Sequence, residues 1–323
     1  SEKLGKELDA FLAAKGIAFD ELNNNPDTIA GLEKRLYTPL SNTLGAASCS
    51  GIFFGLNVTA NTSLPNAEDF RAGLYLRYSG LQPTVASEQD VICFRGAAET
   101  ARSLQLQMHN RWNPELNAAL IPGSDQVTAY QGARLADGCL WTKRTELPDT
   151  WEQVMLLCVP ILDGGGTVRG FCGAEISDLY FSLSHNTVPS AFGNMLTLAA
   201  PIDGDSLLLS GAMLGATDGS RLTANGILHI SDGKYYTTYS DGKNTYLGRH
   251  QLLDAATWDG IPPAAVTLVP DGTFRSYEKG SQIAWFLGAV LFLLAMLVVA
   301  TVLSRQFVKP INKSLAAVRG GAE

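Results

Sequence analysis

The sequence predicts an α+β fold with an N-terminal helical segment, two domains built on antiparallel sheets, and one C-terminal transmembrane helix. Three observations predict it. Apolar residues recur at helical spacing within residues 1–48, and short runs of branched and aromatic residues, separated by turn formers, fill residues 49–282. An uninterrupted apolar run of 21 residues, 283–303, follows. The content of 46% apolar and 17% charged residues is typical of a folded chain.

The helical segment, residues 1–48, contains two apolar stripes. The first ends at Gly16, and the second begins after Asn25 and Pro26, which are typical of a helix start. Pro39 lies inside the second stripe and predicts a kink or a boundary. Packing on the following domain is the simpler interpretation, and additional contact with a partner subunit is the alternative. The stripes consist of Leu4, Leu8, Phe11 and Leu12, and of Ile29, Leu32, Leu36, Leu40 and Leu44.

Residues 49–184 predict a larger, membrane-distal sheet domain. Its first strands are expected over 49–60, 73–78 and 91–95. A helix is expected next, because apolar residues recur at helical spacing until Pro114. The residues that share this spacing are Ala97, Ala101, Leu104, Met108 and Trp112.

A β-hairpin is the strongest local signal. Two apolar arms, 154–162 and 167–176, flank the turn Asp163-Gly164-Gly165-Gly166. We expect the hairpin in the middle of a sheet, since both arms are nearly all apolar. The glycine-rich turn lacks the lysine and the helix that a phosphate-binding loop requires, so a simple turn is favoured.

The five cysteines are too few for a disulfide scaffold in a chain of this length. If the hairpin is symmetric about Gly165, Cys158 and Cys172 lie directly opposite each other. Two buried thiols are favoured, and a cross-strand disulfide is the alternative.

Residues 185–282 predict a smaller, membrane-proximal sheet domain. Two Asp-Gly turns, 231–234 and 240–243, punctuate it. Residues 274–282 are expected to run helically into the apolar run. The predicted strands lie near 194–200, 205–214, 226–230, 235–240, 245–250 and 264–269.

The apolar run 283–303 would span about 31 Å as a helix, which matches the hydrocarbon core of a membrane. Four basic residues follow it, whereas the residues before it carry 20 basic and 30 acidic side chains. Basic flanks remain cytoplasmic. We therefore expect residues 1–282 to be extracytoplasmic, residues 304–323 to be cytoplasmic, and the span to lie in the plasma or inner membrane. We also expect a trimmed N-terminus, with a first span before it, and a missing cytoplasmic output domain.

Motifs of catalysis and metal binding are not found in the sequence. The four histidines are scattered, and neither a nucleophile elbow nor a zinc-protease motif occurs. The sequence predicts no enzyme activity, no cofactor and no metal. The acidic balance of residues 1–282 argues against a nucleic acid partner for this part of the chain.

The run LLCVPILDGGGTVRGFCGAEIS, residues 156–177, resembles the hairpin of Cache sensor domains. Residues 1–282 are similar to a double Cache module, in which both sheet domains are PAS-like. Phe307–Ile311 resembles the entry of HAMP-like linkers, so residues 304–323 would begin such a linker. Residues 49–77, 109–112 and 246–250 resemble membrane-bound transcription regulators with a helix-turn-helix domain of the AraC type.

The resemblance implies a ligand over the distal sheet. Arg111 and Trp112 resemble an Arg and Trp pair of amino-acid-binding members, and Glu175 falls at the position of their last acid. A guanidinium can hold a carboxylate, an aromatic face excludes water, and an acid can receive an amine. For each candidate, a surface ion pair or a core aromatic is the alternative. The candidates for ligand binding are Arg77, Arg95, Arg111, Trp112, Trp141 and Glu175.

The expected function is the extracytoplasmic sensing of a small molecule, with an amino-acid-like or carboxylate ligand, by a transmembrane signal-transduction protein. A transcription regulator is favoured as the output. The alternatives are a histidine kinase, a chemoreceptor, or a membrane-anchored binding protein without signalling output. The expected partners are the ligand, the membrane and a second copy in a homodimer.

Overall fold

The computed structural model describes residues 1–80, 91–117, 121–132, 134–185, 195–215, 222, 226–253, 256–257 and 260–320. The predicted α+β architecture is confirmed, because helices come first, two sheets follow and an apolar helix comes last. The chain divides into two compact units. The first holds both sheets and ends at Val269, and the second begins at Pro270.

The helices and strands have the following bounds. The helices are α1 Glu2–Lys15, α2 Pro26–Ala46, α3 Ala98–Ser103, α4 Ser124–Thr128, α5 Asp178–Ser184, α6 Asp271–Leu303 and α7 Lys309–Gly320. The strands are β1 Gly51–Leu56, β2 Phe70–Arg71, β3 Gly73–Tyr78, β4 Val91–Arg95, β5 Gln107–Asn113, β6 Leu116–Asn117, β7 Leu140–Trp141, β8 Thr145–Glu146, β9 Gln153–Leu162, β10 Val168–Ser177, β11 Leu196–Asp203, β12 Ser206–Leu208, β13 Met213–Leu214, β14 Ile227–Asp232, β15 Thr237–Ser240, β16 Thr245–Leu252, β17 Ala256–Thr257 and β18 Pro263–Pro270.

The C-terminal end of α1 and the start of α2 are where the sequence predicts them. Gly16 ends α1 in the left-handed conformation, with φ of 65°. The Asn25 side chain caps α2 by accepting a hydrogen bond from the backbone N–H of Thr28 at 3.2 Å. Pro39 is no boundary, since α2 continues through it to Ala46. The apolar stripe on both sides of Pro39 is buried, and this burial outweighs the one backbone hydrogen bond that a proline removes.

The second stripe packs on the first of the two sheets, as the simpler interpretation predicts. Its five residues are at most 3% exposed and belong to one apolar cluster with residues of β1 and β3, such as Phe54 and Leu74. This face of α2 is therefore used within the first compact unit.

The first sheet has the strand order β17-β7-β9-β10-β1-β3-β4-β5, and β8 pairs with β9 outside this path. The β9–β10 hairpin lies in the middle of the sheet, which confirms the prediction. The Asp163 carboxylate shapes its turn by accepting hydrogen bonds from the backbone N–H groups of Gly165 and Thr167, at 2.9 and 2.8 Å. β17, from the predicted proximal domain, pairs in parallel with β7.

The predicted opposition of Cys158 and Cys172 is wrong. A bulge between Val168 and Gly170 shifts the register, so that Cys172 pairs with Val159 and Cys158 with Gly173. Cys172 belongs to the apolar cluster under α2, whereas Cys158 belongs to a cluster on the other face of the sheet. Both thiols are free and buried, as favoured above.

The long helix predicted from Ala97 to Trp112 is also wrong. α3 ends at Ser103 because Gln105 takes a positive φ of 56°, and the backbone N–H of Leu106 closes the end on the Ala101 carbonyl at 2.9 Å. Trp112 lies instead on β5, which runs parallel to β4.

The second sheet has the order β12-β14-β15-β16-β18-β11-β13, with an additional pairing of β12 to β11. The strands predicted near 226–230, 235–240, 245–250 and 264–269 are confirmed. The strand predicted over 205–214 is divided into β12 and β13 by a short helical turn, Leu209–Gly211. The Asp241 carboxylate forms the predicted second turn by accepting from the N–H groups of Lys243 and Asn244.

The second compact unit contains α6 and α7. α6 is continuous over 33 residues, so residues 274–282 run helically into the apolar run as predicted. The helical stretch Asp271–Ala316 has a mean hydropathy of 2.9 in its most apolar window and is long and apolar enough to cross a membrane.

Glu33 is a buried carboxyl between α2 and the start of α3. It is 1% exposed, and its Oε2 accepts a hydrogen bond from the Ala97 N–H at 2.9 Å. Its Oε1 has no hydrogen-bond partner in the described part of the chain. Burial raises the pKa of Glu33 to about 8, and the charge of Glu115 adds to this effect. Burial raises the pKa of the Cys93 thiol to about 12, and the charge of Glu33 adds to this effect.

We predict that Glu33 makes the stability of the chain fall as the pH rises from about 5 to 8. The folded chain holds the proton of Glu33 up to a pH of about 8, whereas the unfolded chain releases it near 4.5, so ionisation favours unfolding between these values. Between these pH values, the free energy of unfolding of the wild type should fall by about 3 kcal/mol more than that of the Glu33→Gln variant. Urea unfolding of the full chain in detergent micelles at several pH values measures it. Glu68→Gln, at an exposed position, is the control, and parallel pH curves for Glu33→Gln and the wild type would contradict the prediction.

Candidate functional site

A row of polar side chains crosses the centre of the first sheet. Gly51 of β1 lies opposite Glu175 of β10 on one side and opposite Arg77 of β3 on the other. Directly opposed residues share a face of the sheet, so Glu175 and Arg77 face each other across Gly51. A Cβ atom at Gly51 would lie 3.1 Å from both Arg77 Cγ and Glu175 Oε2. The missing side chain leaves the space in which the two charged groups meet.

Glu175 is fully buried and hydrogen-bonded at both oxygens. Arg77 donates from Nε to Oε2 at 2.8 Å and from Nη2 to Oε1 at 3.0 Å. The Tyr75 hydroxyl donates to Oε2 at 2.5 Å, and the Ser50 hydroxyl donates to Oε1 at 2.6 Å. A buried carboxylate is tolerated only when it is paired and satisfied in this way. Burial and the neighbouring Glu175 charge raise the pKa of Tyr75 well above its usual value, so its hydroxyl remains a donor.

The outer edge of the Arg77 guanidinium binds a second carboxylate. Its Nη1 donates to Glu152 Oε1 at 3.3 Å, and its Nη2 donates to Glu152 Oε2. Whereas the Glu175 side chain is 0% exposed, that of Glu152 is 45% exposed. Burial opposes the charge of Arg77, but the carboxylates outweigh this effect and raise the pKa of Arg77. Arg77 thus joins one interior carboxylate to one at the surface.

Arg95 of β4 forms a second buried cationic centre. Its Nη2 donates to Asp149 Oδ2 at 2.9 Å, and its Nη1 donates to the backbone carbonyls of Phe94 and Arg111. The Cζ atoms of Arg95 and Arg77 lie 3.9 and 5.4 Å from the centroid of the Phe94 ring. One aromatic ring therefore contacts both guanidinium groups, a favourable cation–π arrangement. Burial lowers the pKa of Arg95, against the opposing effect of Asp149.

Asp149 and Glu152 belong to one hairpin, residues 145–154, which we call the carboxylate hairpin. β8 and β9 form its arms. Leu147, which is fully buried, anchors its tip, and Asp149 takes a left-handed φ of 66° there. Trp151, between the two pairing carboxylates, is 96% exposed. Each ion pair of this hairpin joins a buried arginine to an exposed acid, so the acid can be solvated when the pair opens, whereas the arginine cannot.

Two open pockets adjoin the carboxylate hairpin and share Trp151 and Glu152. The first has a volume of about 360 Å³ and is lined by Arg77, Ser50 and the start of α5. The second has a volume of about 670 Å³ and is lined by His109, Arg111 and Asp149, among others. Volumes of this order suit a small metabolite. The His109 ring packs edge-on against Phe94, with centroids 5.0 Å apart, and burial lowers its pKa.

The structure brings four of the six candidate residues together. Arg77 and Glu175 form the buried pair, Arg95 joins them through Phe94, and Arg111 lines the larger pocket with an exposed side chain.

Trp112 and Trp141 lie elsewhere in the described structure. The Trp112 indole donates to the Gly96 carbonyl at 3.0 Å and packs against the cluster under α2. Trp141 packs with Met155, Phe181 and Met213. Both pack against apolar clusters, which fits the alternative given for aromatic candidates, and their part in ligand binding stays a prediction.

Sequence reasoning missed Ser50, Tyr75, His109 and the carboxylate hairpin. Tyr75 and Arg77 are two residues apart on a predicted strand, and this spacing could have placed them on one face. The polar run Asp149-Thr150-Trp151-Glu152, with its single aromatic residue, was a signal for an exposed loop with binding residues.

No protein-family model matches the chain, and no curated protein matches it. Several solved structures align with most of it. The ligand-binding domain of the Pseudomonas aeruginosa amino acid chemoreceptor PctB, in complex with L-Arg, is 11% identical, covers 76% of this chain and 85% of its own, and gives a TM-score of 0.36. The corresponding domain of the Pseudomonas fluorescens chemoreceptor CtaA, in complex with L-serine, is 10% identical over 83% and 93%, with a TM-score of 0.40.

The extracellular domain of soHK1S-Z6, described as a histidine kinase, is 13% identical over 85% of this chain and 93% of its own, with a TM-score of 0.38. At these identities and TM-scores, no residue role is carried over from any of the three.

We predict that breaking the buried pair destabilises the chain far more than breaking a surface pair. Glu175→Gln removes the charge that balances Arg77 in the interior and should cost about 3–5 kcal/mol. Glu7→Gln, which breaks the surface pair with Arg35, should cost less than about 1 kcal/mol. Urea unfolding of the full chain in detergent micelles compares them. Equal losses for the two variants would show that Glu175 is not a structural charge.

Proposed function

We propose that residues 1–282 are the extracytoplasmic ligand-sensing region of a transmembrane signal-transduction protein. One observation carries the proposal. Two open pockets meet at an exposed tryptophan, Trp151, directly outside two buried arginines, Arg77 and Arg95. Buried cationic groups beside an open pocket are a costly arrangement for which ligand binding gives a reason. The double Cache resemblance of residues 1–282 points to the same function.

The lining of the pockets suits an amino-acid-like or carboxylate ligand. Arg111, which is exposed in the larger pocket, offers a guanidinium to a carboxylate. Glu152, in the same lining, offers acceptors to an amine. The PctB and CtaA domains named above were solved with amino acids, which belong to this chemical class.

We propose a chemoreceptor or a histidine kinase as the whole protein. The AraC-type transcription regulator that the sequence resemblance favoured has no support from the comparisons, whereas chemoreceptors and a protein described as a histidine kinase are among the structures named above. The apolar run 283–303 within α6 would cross the membrane, with the basic residues after it in the cytoplasm.

The division into a distal domain, 49–184, and a proximal domain, 185–282, stays a prediction, and so does the HAMP-like linker. The homodimer also stays a prediction. The second apolar stripe, which could have supported it, is buried in the first compact unit.

We predict that an amino acid or a small carboxylic acid raises the thermal unfolding temperature of the full chain in detergent micelles. Because Arg111 faces the larger pocket, Arg111→Ala should weaken binding of that compound at least about tenfold, which equals 1.4 kcal/mol. Arg102→Ala, on the exposed surface of α3, is the matched control and should bind as the wild type does. A compound that binds Arg111→Ala as tightly as the wild type would contradict the assignment of the pocket. If neither amino acids nor small carboxylic acids raise the unfolding temperature, ligand sensing is contradicted.

A further inference from the structure

We propose that Arg77 and Arg95 together bind a ligand with two carboxylate groups, and that the chain's own Asp149 and Glu152 hold the places of these groups in this structure. The inference rests on the proposed function. It narrows the ligand class from carboxylates in general to compounds with two carboxylate groups. It also gives the carboxylate hairpin a role, because binding requires its two acids to leave.

The two guanidinium groups form one receptor. The Arg77 and Arg95 side chains are 6% and 3% exposed, so neither charge is solvated. Their Cζ atoms lie 5.4 and 3.9 Å from the same Phe94 centroid, and their separation cannot exceed the total of these distances. A single small molecule with two acid groups can reach both.

Each guanidinium has an inner edge with a permanent partner and an outer edge with a replaceable one. The inner edge of Arg77 binds the fully buried Glu175, and Nη1 of Arg95 binds two backbone carbonyls. The outer edges bind Glu152 and Asp149, whose side chains are 45% and 57% exposed. An exposed carboxylate is solvated when it leaves, whereas a buried one is not.

Replacement by a dicarboxylate conserves the local charge. Two carboxylates of the hairpin leave and two carboxylates of the ligand enter, so Arg77, Arg95 and Glu175 experience the same balance before and after. A ligand with one acid group would leave one buried guanidinium without a counter-ion on its outer edge, which is costly. The two-acid ligand is therefore preferred over a one-acid ligand.

The hairpin has features of a part that moves. Asp149 takes a left-handed φ of 66° in the turn of the hairpin, and its side chain is 57% exposed, so the contact with Arg95 is the ion pair that has to open. Trp151 is 96% exposed at the border of both pockets. Because this ring is not packed against the protein, it is free to turn over a ligand at either pocket and exclude water.

Chemical rescue tests the proposal. The full chain in detergent micelles is unfolded thermally in the presence of succinate, acetate or sodium chloride at equal ionic strength. The variants are Asp149→Asn, Glu152→Gln and both together. Glu146→Gln is the matched control, because Glu146 lines the same pocket but forms no ion pair among the residues that the structure describes. We expect the double variant to unfold at a lower temperature than the wild type, and succinate to restore it.

Succinate should bind the double variant at least tenfold more tightly than it binds the wild type, since it no longer competes with the hairpin. Acetate and sodium chloride should not reproduce the rescue, and Glu146→Gln should behave as the wild type does. If the double variant does not fold, Asp149→Asn, which alters the more exposed acid, should show the same preference for succinate to a smaller degree.

Equal affinities of the wild type and the variants for succinate, or equal effects of succinate and acetate, would overturn the proposal. If an amino acid binds through Arg111 while succinate fails in this way, the two-acid inference is wrong and the proposed sensing function stands. If neither class of compound binds to the wild type or to any variant, both are wrong.

Discussion

The buried charge of Glu175 is the constraint on which the first sheet depends. A carboxylate at 0% exposure requires a cation and full hydrogen bonding, and Arg77, Tyr75 and Ser50 supply them. Arg77 lies on β3 and Glu175 on β10, and β1 runs between these two strands. The pair can therefore form only across a residue of β1 that has no side chain, which is Gly51. A slip of β10 by one residue would turn Glu175 toward the apolar cluster under α2. The pair therefore fixes the register of three central strands.

The same constraint separates the structural charges from the exchangeable ones. The buried pair Arg77–Glu175 is fixed in place, because removing either partner leaves an uncompensated buried charge. Glu152 and Asp149 contact Arg77 and Arg95 from the surface and keep about half of their side-chain area in solvent. A site with one fixed side and one replaceable side suits a sensor, because a ligand can displace the hairpin while the buried pair keeps the sheet in place.

Features that depend on local chemistry were predictable from the sequence. The glycine-rich turn after Leu162, the Asn25 cap and the end of α1 at Gly16 each require only their own neighbours. Features that depend on one unusual residue were not. The positive φ of Gln105 ends α3, and the bulge between Val168 and Gly170 separates the two cysteines, and neither has a sequence signature.

The candidate site divides in the same way. Arg77 and Glu175 were identifiable as charged residues in otherwise apolar strands. Asp149 and Glu152 were not, because their partners are set by how a surface hairpin folds back on the sheet. Trp112 and Trp141 both pack with apolar residues, and the sequence around a single tryptophan carries no signal that separates packing from binding.

A chain of contacts within the first compact unit leads from the site to the second sheet. The Ser50 hydroxyl that donates to Glu175 also accepts a hydrogen bond from the Ser177 N–H at 2.9 Å, and Ser177 caps α5. Phe181 of α5 packs in turn with Met213 of β13.

Contiguity alone does not make a signal, because coupling requires an element with two states that the ligand distinguishes. In the proposal above the carboxylate hairpin is such an element: it is paired to the arginines in this structure, and the ligand displaces it. Since Arg77 contacts both this hairpin and the Glu175–Ser50 network, a ligand that replaces Glu152 acts on the first residue of the path to α5.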